Sequence, residues 1–311
     1  MGSIPGDAPD IPLLEWMRPY LRHCGVSRRK AWKIQGRKLL DFLVVSIDEG
    51  LGRFTVAGKT YEAKTGDLFW IPPDTFHEME GFAPDMLVSY IHFDLIYRRP
   101  ISHWDFSIPG GTLDLSEFAP LMHPPLPPGP LGELCGRIRS PAGGRLAQRI
   151  HEACAEATMG QPYAALRVSG ILTDLVAQLL RDRARGPEGS SQAPGLEKAA
   201  ARLQSECQRE VPMAEVAALA GLSVSHFRKL FHEWFGMPPR EYHRRARIQR
   251  AKGFMAENRL NLTEIADQLG FANVHSFSRA FRECEGMSPA AWRRFGKPQV
   301  RVEGRERPYA G

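Results

Sequence analysis

The chain has 311 residues, 43% hydrophobic and 24% charged, with a formal net charge of +6. That length and composition suit a soluble protein of two ordinary domains, and no apolar run approaches the ~20 residues a membrane-crossing helix needs. Five dispersed cysteines (Cys24, Cys135, Cys154, Cys207, Cys284) contain no C-x-x-C pair, which argues against a disulfide framework or zinc site and for reduced thiols in the cytoplasm.

The first ten residues have neither a basic stretch nor an apolar core, so no signal peptide is expected. Residues 37–95 read as strands. Residues 39–47 are apolar and β-branched, 53–57 alternate, Gly58 turns the chain and 60–63 resume. Gly66 and Asp67 lead into residues 68–71, Pro72 and Pro73 stop them, and residues 86–93 are a further apolar run. Short strands with turns at near-regular spacing predict a small β-barrel or jelly roll within residues 1–130. The proline-rich segment 123–130 is expected to be an ordered loop or spacer.

Residues 131–184 read as a helical element. Residues 145–159 place Leu146, Ile150, Ala153 and Ala157 on one stripe, and 163–183 place Val168, Leu172, Leu175 and Leu179 at spacings of 4, 3 and 4. The second stripe suits a seam shared between two helices of a dimer, or packing on the chain's own barrel. Residues 185–195, rich in Gly, Ser and Pro, have the composition of a flexible linker between domains.

After a predicted helix at 196–209, two runs repeat one plan. MAEVAALAGLSVSHFRKLF (213–231) is echoed by LTEIADQLGFANVHSFSRAF (262–281), and GMPP (236–239) by GMSP (286–289). A short amphipathic helix, a glycine turn and a second amphipathic helix form the helix-turn-helix layout of DNA readers. Residues 239–256 read as one helix of roughly 27 Å, close to the separation of about 34 Å between successive major-groove faces. The residues from Asn261 to Glu264 suit a helix cap. Ser288 and Pro289 open a last short helix through Trp292, and 296–311 form a tail. From Leu196 onward there are 20 Lys+Arg against 13 Asp+Glu, or +7, whereas the preceding residues carry −1. Basicity therefore belongs to the repeated region, as contact with phosphates requires.

Each reading helix needs an apolar face for its core and a polar face for DNA. Phe227, Leu230 and Phe231 take the core in the first motif, leaving Ser225, Arg228, Lys229 and His232 outward. Phe277 and Phe281 take it in the second, leaving His275, Ser278, Arg279 and Arg282. Arg228 and Arg279 can each hold guanine O6 and N7, and Lys229 a base or a phosphate. A merely solvated face is the alternative, and two matched copies weigh against it. Gly221 and Gly270 mark the tight turns, and replacing either is expected to unfold its motif.

With RRARIQRAK at 244–252 and the second repeat, the region 196–295 resembles the AraC/XylS family of bacterial transcription regulators. The resemblance implies seven helices, two reading helices in adjacent major grooves, and an activator that touches RNA polymerase at promoter DNA. Residues 52–60, 66–72, His77 and 91–93 are similar to that family's cupin-like sensor domain. That implies a small-molecule effector, often a sugar, and adjacent helices that form a homodimer. Candidate effector-binding residues are Trp32, Arg37, Tyr61, Trp70, His77, Tyr90 and His92, with aromatics for sugar faces and polar groups for orientation. Each could instead be plain core.

A cupin-type metal enzyme would need an H-x-H pair, a following Glu and a later His. No His lies between His23 and His77, and only His77, Glu78 and His92 remain. No metal, cofactor or catalytic residue is expected. The expected fold is α+β and multidomain: a cupin-like β-barrel with a helical dimerisation element, then an all-α double helix-turn-helix domain. A ligand-independent regulator with a vestigial barrel stays an alternative. No membrane partner is expected.

Overall fold

The computed structural model describes residues 11–102, 108–126, 128–140, 143–184, 192–257 and 260–295. A short helix, α1 (Ile11–Trp16), precedes β1 (Tyr20–Arg29), β2 (Trp32–Arg37), β3 (Phe42–Glu49), β4 (Leu51–Val56), β5 (Lys59–Lys64), β6 (Leu68–Ile71), β7 (His77–Gly81) and β8 (Met86–Asp94). The last strand among the described residues, β9 (Gly136–Ile138), follows the proline-rich segment. Two antiparallel sheets result, in the orders β1-β8-β3-β6-β9 and β2-β7-β4-β5.

Central β3 is apolar on both faces because each face meets a different layer. Leu43, Val45 and Ile47 join Phe54, Val56, Phe69 and Ile71 between the sheets. Phe42 and Val44 join Trp70, Ile91 and Phe93 on the opposite face, against α2 (Gly143–Met159) and α3 (Ala164–Ala184). Between β4 and β5 the chain reverses through Ala57 (φ 48°) and Gly58 (φ 78°), the doubly left-handed geometry that matches strand twist in a two-residue hairpin.

Strand structure starts at Tyr20, well before the expected residue 37. The strands β1, β2 and β7 carry few apolar residues, and their inward positions are often polar. Arg22, for example, is buried against Asp94 at 2.9 Å. In segment 123–130, His123 is buried and its Nε2 accepts from the Leu95 and Ile96 amides at 3.1 and 3.2 Å. Residue 127 lies outside the described residues.

Val168, Leu172, Leu175 and Leu179 are all buried in the core that contains Trp70 and Phe93. The stripe is therefore consumed within the chain, and the shared-seam alternative falls. Ala157 is exposed, and Cys154 takes the buried place beside Ala153. Outward at the α2–α3 turn stand three large apolar side chains, Met159, Tyr163 and Leu166, 65%, 82% and 73% exposed, beside the exposed polar Gln161 and Arg167.

Among the described residues seven helices follow: α4 (Ala193–Ser205), α5 (Met213–Leu219), α6 (Val224–Phe235), α7 (Pro239–Glu257), α8 (Leu262–Gln268), α9 (Val274–Glu285) and α10 (Pro289–Phe295). Residues 185–191 of the expected linker lie outside the described residues, as do 1–10 and 296–311. The next helix begins at Ala193 and ends at Ser205, earlier than expected at both ends, because Pro194 suits a first helical turn. Two small cores hold the two motifs, and α7 supplies both, Tyr242 to the first and Ile248, Ala251 and Met255 to the second. The strut is thus a shared wall. No described helix is long and apolar enough to cross a membrane.

Candidate functional site

The two reading helices, α6 and α9, start and stop alike. Ser223 Oγ accepts from the His226 amide at 3.4 Å, and Asn273 Oδ1 from the Ser276 amide at 2.8 Å. Such caps satisfy first-turn donors that would otherwise lack partners. Ser225, Arg228, Lys229, His232, His275, Arg279 and Arg282 are exposed and Ser278 is half-buried. Phe227, Phe231, Phe277 and Phe281 are fully buried on the opposite sides. Arg279 is 85% exposed and pairs with Glu283 at 3.2 Å, a surface contact cheap to release.

The turns are not equivalent. Gly221 (φ 67°) and Gly270 (φ 65°) are both left-handed, but a Cβ at Gly221 would meet open space, whereas one at Gly270 would strike the Gln208 carbonyl. Equal consequences for the two positions are therefore not expected.

Part of the C-terminal basicity is structural. Arg247 is buried, donates twice to the Leu269 carbonyl at 2.9 and 2.6 Å, and lies 3.9 Å over the Phe271 ring. Lys252 is fully buried between Asp85, at 2.9 and 3.1 Å, and Glu285, at 3.2 Å. Neither cation is available to phosphate.

Lys252 belongs to an ionic joint between the two halves. The barrel supplies Arg28, Glu49 and Asp85; α7 supplies Arg245, Gln249 and Lys252; α9 supplies Glu285. Arg28 pairs with Glu49 and, at 2.9 Å, with Asp85. Glu49 also takes Arg245 and Gln249, each at 3.0 Å. Burial pushes the Asp85 carboxyl up, but Lys252 and Arg28 outweigh it and hold the group below its usual range. Tyr242 Oη adds a hydrogen bond to the Thr65 carbonyl at 3.2 Å. The first reading helix is gripped too, since Gly144 of α2 lies against Gly236 at the end of α6, where a Cβ on Gly144 would have no room.

Between the sheets the barrel holds a cavity of about 250 Å³ that opens to solvent. Trp32, Arg37, Tyr90 and His92 line it, as do His23 and Arg29. His23 Nε2 and Tyr90 Oη are 3.1 Å apart, and His92 Nδ1 lies 3.1 Å from Asp41. His77 sits behind Arg37, its Nε2 accepting from Arg37 Nε at 3.2 Å and its Nδ1 facing the Thr75 carbonyl at 3.1 Å. Burial, with the nearby Arg37 charge, lowers its pKa to about 4, so it is neutral at physiological pH.

Three expected effector residues do not line the cavity: His77, one step behind Arg37, and Trp70 and Tyr61, which lie elsewhere. Trp70 packs on Phe42 and Phe93, 5.4 and 5.6 Å between ring centroids, on the helix-covered face of the sheet. The inner position goes to its neighbour Phe69. Tyr61 packs on Phe69 with Arg137 over its ring at 5.4 Å, and does not line the cavity. The sequence reading missed His23 and Arg29; pairing of β1 with β8 brings them to the cavity, and alternation across 20–29 is the weak signal available. Glu78 pairs with Lys33 at 2.6 Å on the outer face of β7, so His77, Glu78 and His92 do not meet. Among the described residues no group of three His, Cys, Asp or Glu could hold a metal ion.

Two capped reading helices on a shared strut, joined to a cavity-bearing barrel, define a DNA-binding transcription regulator with a ligand-binding domain. Comparison with known proteins agrees. Residues 24–176 match the AraC-like ligand binding domain and residues 216–294 a helix-turn-helix domain. The probable transcriptional regulator LumQ of Photobacterium leiognathi is 36% identical over 93 residues, 30% of this chain and 38% of that protein. The HTH-type transcriptional activator RhaS of Pectobacterium carotovorum is 23% identical over 252 residues, covering 80% of this chain and 84% of the relative. For RhaR of Shigella dysenteriae the figures are 24% over 253 residues, 80% and 83%. The match thus spans well under half of LumQ and most of RhaS and RhaR. The chain belongs to the AraC family of transcription regulators.

Proposed function

We propose that the protein is an effector-responsive transcription activator, working as a cytoplasmic homodimer at promoter DNA and touching RNA polymerase there, with no catalytic role. Ser225, Arg228, Lys229 and His232 would enter one major groove and His275, Ser278, Arg279 and Arg282 the next. The effector is a small molecule held in the barrel; sugars, and genes of carbohydrate metabolism, are what the family resemblance suggests first. The exposed Met159, Tyr163 and Leu166 support a contact with a second copy.

The observation that carries this reading is the ionic joint. The barrel holds both the strut and the end of the second reading helix, while the faces of both reading helices stay open. A ligand that favours one barrel conformation then shifts the pose of the readers rather than uncovering them. The test is selection of bound genomic fragments by the full chain, followed by affinity measurements with candidate metabolites. A responsive regulator binds specific duplexes with an affinity that changes on saturation, and a ligand at about 100 times its Kd adds ~2.7 kcal/mol of stability. Failure to bind any duplex at low salt overturns the DNA reading. Unchanged affinity and transcription at saturation overturn the effector mechanism and favour control by abundance.

A further inference from the structure

We propose that the barrel cavity takes a small amphipathic carboxylic acid rather than a neutral sugar, its carboxylate held by Arg29 and Arg37. The proposal rests on the effector-sensing reading above and adds the chemical class of the ligand.

The first argument is the donor balance of the walls. The polar lining consists of two guanidiniums, two imidazoles, a phenol and an indole, and no described lining residue is a carboxylate or a side-chain amide. Sugar hydroxyls donate as well as accept and need acceptors around the ring, whereas guanidinium and indole groups only donate; the imidazoles and the phenol can accept, but His23 Nε2 and Tyr90 Oη already face each other at 3.1 Å and His92 Nδ1 faces Asp41. Asp41 is engaged by His92 Nδ1 at 3.1 Å and is not part of the lining. A carboxylate is acceptor-only and suits guanidinium donors, and the Nη pair of Arg29, whose Nε alone is on Ser27, can meet it with two parallel bonds.

The second argument is the floor. Ile34, Leu43, Val45, Met79 and Val88 complete the cavity. They offer a hydrocarbon body contact but would leave a polyol's hydroxyls without partners. The third is placement. Arg29 is exposed at the rim, 5.9 Å over the Trp32 ring, with its Nε on Ser27 Oγ at 2.9 Å. Arg37 is buried, its Nη1 donating to the Ile108 carbonyl and its Nε to His77. Burial lowers the Arg37 pKa to about 10, and a bound anion offsets that loss of hydration. One cation receives the ligand at the mouth and the other lies deeper beside the apolar floor.

The experiment is calorimetry and thermal unfolding of the full chain with monocarboxylates from butanoate to octanoate and with phenylacetate. Each is paired with its primary amide, and D-glucose and D-xylose serve as sugars. Acids are expected to bind at least tenfold more tightly than their amides, and Arg29→Gln to weaken the best acid at least tenfold. Arg29 is exposed, so this variant should keep the parent fold, checked by circular dichroism and DNA affinity. Equal binding of acids and amides, or indifference to Arg29→Gln, overturns the proposal. Sugar binding without acid binding overturns the class and leaves the effector reading intact. If no compound of any class binds while DNA binding is intact, the proposal fails and the effector reading loses its support with it.

Discussion

Lys252 is the most informative single residue to remove, because its ammonium sits fully buried between two carboxylates on different halves of the chain. Lys252→Met keeps the aliphatic stem and deletes the charge. Asp85 and Glu285, whose side chains are 5% and 1% exposed, then lose a cation that water cannot replace. Removing one member of such a buried pair costs about 3–5 kcal/mol. Asp85 retains Arg28 at 2.9 Å, which places the expected loss toward the lower end. Urea unfolding followed by tryptophan fluorescence measures it. A double-mutant cycle with Asp85→Asn should give a coupling energy of about 0.5–3 kcal/mol. The exposed faces of α6 and α9 are untouched, so Lys252→Met should still bind its duplex while its affinity no longer answers the effector. If the two substitutions add within about 0.3–0.5 kcal/mol and the effector response survives, the joint is not what couples the halves.

Arg279→Ala should cost roughly 1–3 kcal/mol of duplex affinity and relax preference at one base position; anisotropy titrations over base-substituted duplexes would reveal it, and uniform weakening would reassign Arg279 to phosphate. Gly221→Ala should lose about 1–2 kcal/mol for its left-handed backbone, and Gly270→Ala more, because its new Cβ also meets the Gln208 carbonyl; denaturation midpoints of equal size would refute that ranking. Stability should fall in acid. His77 and His123 have pKa values lowered from 6.5 to about 4 in the folded chain, so their contribution is fully present above pH 6.5 and is lost as pH drops through the window to 4. Each is worth up to about 3 kcal/mol. Urea midpoints flat between pH 7 and 4 would contradict this.

The double motif and its strut could be read from the sequence because phenylalanines at helical spacing, glycine turns and a capping Asn leave little freedom. The reading faces follow from the same geometry. The barrel was harder for a physical reason. A ligand cavity puts polar groups where alternation leads one to expect apolar ones, so the polar side of β1, with His23 and Arg29, reads as a solvent-facing side although it lines the cavity. The run of residues 68–71 is apolar throughout, and no polar neighbour tells which side Trp70 takes. Spacings of 4, 3 and 4 along α3 look the same whether the stripe covers its own barrel or a second chain. Lys252 and Arg247 count as basic in any composition, yet only the packed structure shows them facing inward.

Gly144 and Gly236 meet main chain to main chain, with no side chain between them. Such a bearing has no rotamers to relax and no cushion to compress, so α2 and the tip of α6 cannot approach further without moving main chain. Any methyl placed there would act as a wedge, forcing α2 away from the tip of α6.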